Sequence, residues 1–273
     1  MDPVLITSLM LVGILAGVMG AIFGIGGGII IVPILTIIYG LATKDAAAIS
    51  LVGIVATSVG ASSVYIKKRV TNIRLGLFLE ITTVVGAIIG VLIASYISNL
   101  ALTVVFAIVL VISGYRMISD PERSIEPVEG EGRRISEYYD EVSDKTIKYE
   151  VKNLGTGAAT STVAGVIASM TGMGGGTIKI PIMNMHMGVP MKVATATSNY
   201  MISITAFTGA ILYFLMGDVD LMFAGAVAVG GFVGSIIGTR LSSYIDGRPL
   251  KKYFSLLLFI IAVIMVLDVG GYI

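Results

Sequence analysis

Apolar runs long enough to cross a lipid bilayer dominate this sequence. A membrane-spanning helix needs about 20 consecutive apolar residues. Such runs occupy roughly residues 4–22, 45–66, 75–97, 100–118, 153–170, 193–216, 219–244 and 250–268. They are continuous rather than alternating, which indicates helices and not barrel strands. Hydrophobic residues make up 56% of the chain and charged residues 13%, which lies outside the composition of soluble globular domains. We therefore predict an all-α polytopic protein of the cell membrane.

Two glycine-rich segments interrupt the apolar sequence and reveal an internal repeat. They read FGIGGGIIIVPIL at 23–35 and TGMGGGTIKIPIM at 171–183, which is 148 positions later. The same offset pairs further residues without a gap: Lys44 with Lys192, Ser50 with Ser198, Tyr65 with Tyr213, and VGAIIG at 85–90 with VGSIIG at 233–238. One unit of about 110 residues is therefore duplicated. We assign residues 1–118 to the first transmembrane repeat and residues 151–273 to the second.

The segment between the repeats, residues 119–150, is strongly polar. It contains PERSIEPVEGEGRRISEYYDEVSDKTIKYE, which carries too many charges to enter lipid. We therefore predict an extramembrane linker. The alternation of side-chain types from Thr146 to Val151 predicts a short β-strand within it.

The loops of the two repeats differ in where their cations lie. KKRVTNIR at 67–74 is basic, whereas its counterpart MGDVD at 216–220 is acidic. SNLAL at 98–102 carries no charge, whereas its counterpart DGRPLKK at 246–252 carries three cations. Because cytoplasmic loops are enriched in Lys and Arg, matching loops are predicted to face opposite sides of the membrane. We expect two inverted-topology repeats of about five membrane segments each, with both termini outside and the linker in the cytoplasm.

The glycine breaks predict a binding site at the centre of the membrane. Irregular backbone inside a membrane is tolerated only where protein or water covers it. A helix that starts at such a break presents free N–H groups and the positive end of its dipole, and both favour an anion. Pro33 and Pro181 suit the first turn of those helices. With inverted repeats, the glycine-broken or re-entrant helices meet near the midplane. The break glycines are therefore predicted to bind substrate: Gly26, Gly27, Gly28, Gly174, Gly175 and Gly176.

A packing role is the alternative for these glycines, since small residues also allow membrane helices to approach closely. The two roles predict different mutants. If the backbone N–H groups at the breaks bind the ligand in conformations open only to glycine, Gly27→Val or Gly175→Val abolishes transport and leaves folding largely intact. If they pack, the same substitutions cause loss of folded protein.

The paired motifs resemble the TauE/SafE family of sulfite exporters. Each GxGGG is followed by a proline and then by a Lys-x-Ala segment, Lys44-Asp45-Ala46 or Lys192-Val193-Ala194, that leads into a helix rich in small polar residues. The resemblance covers both repeats. It implies a transporter of small sulfur-containing anions such as sulfite, thiosulfate or organosulfonates. The chain has no cysteine, so the thiol route of thiosulfate-uptake relatives is excluded.

Polar side chains near the breaks are candidates to complete the coordination of an oxyanion. The hydroxyl and amide residues of this set also form hydrogen bonds within helices, so a structural role is the alternative. They are Ser50, Thr177, Thr197, Ser198 and Asn199. Lys179 lies just past the second break, where its counterpart in the first repeat is Ile31. Its ammonium is expected to face the anion, or else to extend to the membrane surface.

Glu80 and His186 are candidates for proton coupling or gating. A carboxylate within a membrane helix is a functional candidate, although Glu80 follows Arg74 by six residues and an interfacial ion pair with it is the alternative. His186 lies seven residues past Lys179 and so on the same face of a regular helix, within the Met-rich run 183–187. There it is either part of a gate or ordinary interface packing.

The composition also narrows the classes of function. A single histidine and no cysteine exclude a multi-histidine or thiolate metal site and a Cys–His pair. Neither glycine break continues into the Gly-Lys-Ser/Thr of a phosphate-binding loop. We expect no metal, no cofactor, no nucleic-acid partner and no enzyme activity. The partners expected are the lipid bilayer and a small anionic substrate. An anion channel, a carboxylate permease and a membrane-embedded enzyme are the alternatives, and a homodimer is one oligomeric state left open.

Overall fold

A computed structural model describes residues 3–119, 135–140, 144–242 and 247–269. The first half contains helices α1 (Pro3–Phe23), α2 (Gly28–Ile37), α3 (Thr43–Lys67), α4 (Ile73–Tyr96) and α5 (Asn99–Ser119). A hairpin of β1 (Ile135–Asp140) and β2 (Lys145–Glu150) follows. The second half contains α6 (Leu154–Thr171), α7 (Gly176–Pro181), a π-helix (Ile182–His186), α8 (Met191–Met216), α9 (Leu221–Leu241) and α10 (Gly247–Val269).

The helices confirm an all-α membrane protein. Within the described residues, six are long and apolar enough to cross a membrane: α1, α3, α4, α5 over Asn99–Arg116, α8 and α9. The other two expected spans form α6 and α10. Helix α6 has 18 residues and is rich in Gly, Ala, Ser and Thr, and it packs along α4. The shorter apolar pieces expected beside the glycines form α2 and the α7/π-helix segment.

The predicted strand is also confirmed. Strand β2 pairs with β1 in an antiparallel hairpin, from Ile135 opposite Glu150 to Asp140 opposite Lys145. Residues 120–134 and 141–143 of the linker lie outside the described residues.

The two halves pack on each other through small residues. A β-carbon at Gly13 of α1 would lie 2.3 Å from the carbonyl oxygen of Val227 on α9, and one at Gly17 would lie 2.3 Å from that of Gly231. The same relation joins α4 and α6, where β-carbons at Gly86 and Gly90 would lie 2.1 and 2.3 Å from the carbonyl oxygens of Thr162 and Val166. Glycine therefore allows these helices to touch backbone to backbone.

These contacts also give the helix directions. Both residue numbers increase together along α1 and α9, and along α4 and α6, so each pair runs in the same direction. Helix α3 likewise runs with α9, because Gly53 lies beside Val227 and Thr57 beside Gly231. The turn at 68–72 is too short to recross a bilayer, so α4 runs back. Helix α6 therefore runs opposite to α1, as inverted repeats require. The inverted relation and its orientation in the membrane stay predictions.

Close packing of α1 on α9 predicts a stability difference between two glycines of one helix. A β-carbon at Gly230 would lie 2.1 Å from the carbonyl oxygen of Met10, whereas one at Gly225 would meet no atom of the described residues within 4 Å. We expect Gly230→Ala to destabilise the protein by about 1–3 kcal/mol, and Gly225→Ala to be neutral or stabilising because Ala favours helix. Thermal unfolding in detergent measures both. Equal melting temperatures would contradict the α1–α9 packing.

Single cysteines test the orientation, because the chain has none of its own. Cysteines at Asn99 and Gly217 should react with an impermeant thiol reagent from outside. A cysteine at Lys68 should react only from the cytoplasm. The Arg248 side chain, also predicted to be cytoplasmic, lies outside the described side chains. Reaction of positions 68 and 217 from the same side would mean parallel repeats.

Candidate functional site

The two glycine breaks have the same backbone conformation. Gly24, Gly26 and Gly27 have φ of +70°, +82° and +92°. Their counterparts 148 positions later, Gly172, Gly174 and Gly175, have φ of +70°, +84° and +74°. Only glycine adopts such values without strain. The spacing of the glycines is therefore explained by the turn that carries the chain from one helix into the next.

The two breaks contact each other reciprocally. A β-carbon at Gly28 would lie 2.0 Å from the carbonyl oxygen of Gly172, and one at Gly176 would lie 2.1 Å from that of Gly24. Two serines reinforce the contact. Ser50 Oγ donates a hydrogen bond to the Gly172 carbonyl (2.8 Å), and Ser198 Oγ donates one to the Gly24 carbonyl (2.9 Å). Each interaction therefore occurs twice, once from the first repeat to the second and once from the second repeat to the first.

This contact corrects the expectation of an open cavity at the breaks. The break glycines are buried, and the backbone of one break occupies the space in front of the other. Gly27→Val and Gly175→Val are therefore expected to destabilise the fold. Both glycines have positive φ, and a β-carbon at Gly27 would lie 2.6 Å from the carbonyl oxygen of Ala16.

The prolines do not lie where the sequence indicated. Helix α2 begins at Gly28, so Pro33 is its sixth residue. Pro181 is the last residue of α7 and precedes the π-helix. Each helix begins at the last glycine of its break, Gly28 or Gly176, with the preceding glycine as N-cap, and this places the proline in the second turn. Among the described residues no side chain caps α2 or α7, so their first backbone N–H groups lack a side-chain acceptor there.

The remaining candidates near the breaks are mostly engaged in structural hydrogen bonds. Thr197 and Asn199 are fully buried. Thr197 Oγ1 accepts a hydrogen bond from the Asn72 N–H (3.0 Å). Asn199 Nδ2 donates to the carbonyls of Thr195 (3.2 Å) and Ala21 (3.4 Å), while its Oδ1 has no partner in the described structure. Thr177 is half-buried in the first turn of α7.

Lys179 and Glu80 form a buried ion pair one turn past the second break. The Lys179 side chain is 1% exposed and that of Glu80 is 3% exposed, with 3.5 Å between Nζ and Oε2. Thr205 of α8 joins them: Lys179 Nζ donates to Thr205 Oγ1 (3.0 Å), and Thr205 Oγ1 donates to Glu80 Oε1. Neither alternative proposed for these residues holds. Lys179 does not extend to a membrane surface, and Glu80 does not pair with Arg74, which is exposed.

His186 lies apart from the breaks. It is exposed at the end of the π-helix and lines a groove of about 510 Å³ together with Tyr115, Arg116 and Phe259. The expectation that it shares a face with Lys179 is wrong. A π-helix has more residues per turn than an α-helix, so a spacing of seven across it does not return to the same face.

The linker hairpin is anchored to the site through Tyr149. This residue is 1% exposed and accepts a hydrogen bond from Asn72 Nδ2 (2.7 Å). Asn72 also caps α4 by accepting from the Leu75 N–H (3.0 Å), and its own N–H donates to Thr197 as described above. The hairpin is therefore linked to a buried candidate residue by two hydrogen bonds. Burial raises the pKa of the Tyr149 phenol to about 12, against the opposing effect of the Asn72 hydrogen bond.

Matching lysines of the repeats hold an aspartate at each end of the molecule. Lys44 pairs with Asp218 (3.0 Å) and Lys192 pairs with Asp140 of the hairpin (2.8 Å). The two lysines are 148 positions apart, whereas the two aspartates belong to unrelated segments.

Sequence reasoning missed Thr205, Asn72 and Tyr149. The sequence did indicate Thr205 as a candidate, because its counterpart at the 148-residue offset is Thr57. A hydroxyl residue present in both copies of a repeat is a candidate for a shared role. No such pattern indicated Asn72 or Tyr149, because each has its role only through contact with a segment distant in the sequence.

Comparison with known proteins identifies relatives along almost the whole chain. The sequence model of the family described as Sulfite exporter TauE/SafE matches residues 9–265. The chain is 24% identical to the probable membrane transporter protein YunE of Bacillus subtilis, over 93% of this chain and 94% of the relative. It is 26% identical to a probable membrane transporter protein of Methanocaldococcus jannaschii, over 96% of each, and 27% identical to one of Haemophilus influenzae, over 94% of each. No solved structure matches the chain significantly.

The pKa of Tyr149 predicts a pH-dependent stability of the hairpin contact. The folded pKa of about 12 exceeds the unfolded value of about 10. The contribution of the neutral Tyr149 phenol to the free energy of unfolding is therefore complete below pH 10. As the pH rises to 12, the free energy of unfolding falls by about 2–3 kcal/mol. Tyr149→Phe should lack this loss, and at neutral pH it should cost about 1 kcal/mol through the unpaired Asn72. Unfolding midpoints against pH measure the difference, with Tyr96→Phe, 89% exposed, as control. Parallel pH profiles for wild type and Tyr149→Phe would contradict the prediction.

Proposed function

The chain belongs to the Sulfite exporter TauE/SafE family, and on this basis we propose that it is a secondary transporter that exports a small sulfur-containing oxyanion, such as sulfite or an organosulfonate. The family and the relatives establish a multi-pass membrane transporter protein. The substrate, the direction and the mechanism are our proposals, as are the absence of enzyme activity and the location in the plasma membrane with the linker in the cytoplasm.

The reciprocal contact of the two glycine breaks is the observation that carries the proposal. It brings the uncapped starts of α2 and α7 together inside the molecule. Helix starts of this kind supply N–H donors and a positive potential, which suit the oxygens of an anion. Transporters with inverted repeats place their substrate sites at such discontinuous helices near the midplane.

Alternating access of the two repeats is the mechanism that we propose. The opposed directions of α1 and α6 support inverted repeats. Because the breaks touch in this structure, the anion binds only when they separate. Rocking of one repeat against the other separates them and exposes the site to one side at a time. Ser50 and Ser198 then exchange their carbonyl acceptors for the incoming oxyanion, to which each hydroxyl donates a hydrogen bond.

Binding and flux measurements on purified protein test this proposal. Sulfite, sulfate, thiosulfate, sulfoacetate, methanesulfonate and short carboxylates are compared by calorimetry, and flux of the bound anions is then measured in proteoliposomes. We expect saturable flux of a sulfur oxyanion. Flux that rises linearly with concentration and follows voltage alone would mean a channel, and preference for the carboxylates would mean a carboxylate permease.

A further inference from the structure

The buried ion pair joins Lys179 of the second repeat to Glu80 of the first, and the residues at the equivalent positions are uncharged. At the 148-residue offset, Lys179 corresponds to Ile31, Glu80 to Ala228 and Thr205 to Thr57. Ile31 is fully buried, and it lies with Val227 beside Gly53. The equivalent positions are therefore apolar, with Ile31 in the first repeat and Ala228 in the second, while the threonine is kept as Thr57. Because the same architecture folds without charges there, packing alone does not require the pair.

The ammonium of Lys179 retains capacity for a further ligand. It has three N–H donors, and the described structure gives it two acceptors, Thr205 Oγ1 at 3.0 Å and Glu80 Oε2 at 3.5 Å. The contact with the carboxylate is long for a charge-assisted hydrogen bond. Lys179 also lies in the first turn of α7, where its N–H donates to the Gly175 carbonyl (3.1 Å).

No other charged group faces the pair in the described structure. Helix α6, which packs on α4 and α7, carries no ionisable side chain. On α8 the ionisable residues are Lys192, Tyr200 and Tyr213, and Lys192 is paired with Asp140. Arg74 on α4 is exposed, as is His186 at the end of the π-helix. Thr205 is therefore the polar contact of the pair, and the charge of the site is set by Lys179 and Glu80 alone.

We propose that Lys179 and Glu80 form a proton-coupled exchange site, in which a singly charged oxyanion replaces the Glu80 carboxylate on the Lys179 ammonium and Glu80 takes up one proton. The proposal rests on the proposed function and extends it to the charge of the substrate and the coupling ion. Breaking a buried pair would leave an uncompensated carboxylate in a low-dielectric site, which is costly. Protonation of Glu80 removes that charge as the anion arrives.

The number of protons follows from the charges alone. The empty pair holds one shared proton, whether as ammonium and carboxylate or as amine and carboxylic acid. The occupied site holds two, one on Lys179 and one on Glu80, so binding takes up one proton in either case. With a singly charged anion, the site has zero net charge before and after binding. Anion and proton then cross together, and their combined gradients set the direction of net movement. A doubly charged anion would leave one uncompensated negative charge, so such anions should bind more weakly.

Proton uptake on binding to the purified wild-type protein tests the proposal. Methanesulfonate keeps a single negative charge at all pH values used, and sulfite is the second probe. Calorimetry in two buffers of different ionisation enthalpy should give one proton taken up per methanesulfonate bound. The Kd of the wild type should rise about tenfold per pH unit over the range where this uptake occurs.

Two variants and a control separate coupling from structure. Glu80→Gln should bind methanesulfonate without proton uptake and with a Kd independent of pH. The double variant Lys179→Ile/Glu80→Ala copies the residues at the equivalent positions, Ile31 and Ala228, so it should fold and lose at least tenfold in affinity. Exposed Glu137 supplies the control, and Glu137→Gln should take up the same proton as the wild type.

Each other outcome decides against the proposal. Binding to the wild type without proton uptake, or proton uptake retained in Glu80→Gln, would overturn the exchange site and leave the proposed function standing. Wild-type affinity in the double variant would do the same. Failure of the wild type to bind either anion would overturn the proposed function together with the exchange site. If Glu80→Gln does not fold, the pH dependence of the wild type and the double variant still decide.

Discussion

The backbone contact between the two glycine breaks is the constraint on which the rest of the structure depends. Non-helical backbone inside a membrane protein must be covered by protein or water. Here each break covers the other, with Gly28 on the Gly172 carbonyl and Gly176 on the Gly24 carbonyl. Neither half supplies this cover alone. The duplication must therefore stay in register, and the close packing of α1 on α9 and of α4 on α6 holds the breaks at the depth where they meet.

On this symmetrical frame, one position breaks the symmetry through charge. Thr57 and Thr205 are equivalent, whereas Lys179 of the second repeat corresponds to Ile31, and Glu80 of the first repeat corresponds to Ala228. Charged side chains inside a bundle persist only when paired, and Lys179 and Glu80 satisfy this requirement through each other and Thr205. The repeats therefore share a scaffold, while only one of the two equivalent sites between them holds an ion pair.

The sequence predicts the local features well and the long-range contacts poorly. Helices, breaks and strand β2 follow from apolar length, glycine spacing and alternation, which are properties of neighbouring residues. The predicted placement of Pro33 and Pro181 in the first turn was wrong because each helix already begins at the last glycine of its break. The Lys179–Glu80 pair joins residues 99 positions apart, and the cavity expected at the breaks is filled by the other repeat. Neither fact is encoded in any local pattern, although the 148-residue offset marked Thr205 as equivalent to Thr57.

The linker hairpin adds contacts at one face of the protein that the opposite face lacks in the described part of the chain. Equivalent lysines hold an aspartate at each end, but the aspartate at one end belongs to the hairpin, which adds the Tyr149–Asn72 hydrogen bond. Opening that face therefore has to break contacts that have no equivalent on the opposite face in the described part of the chain. In an alternating-access cycle the two reorientation steps then have different barriers. If the proposed alternating access holds, we expect the conformation closed at the hairpin to be the longer-lived one and its opening to limit turnover.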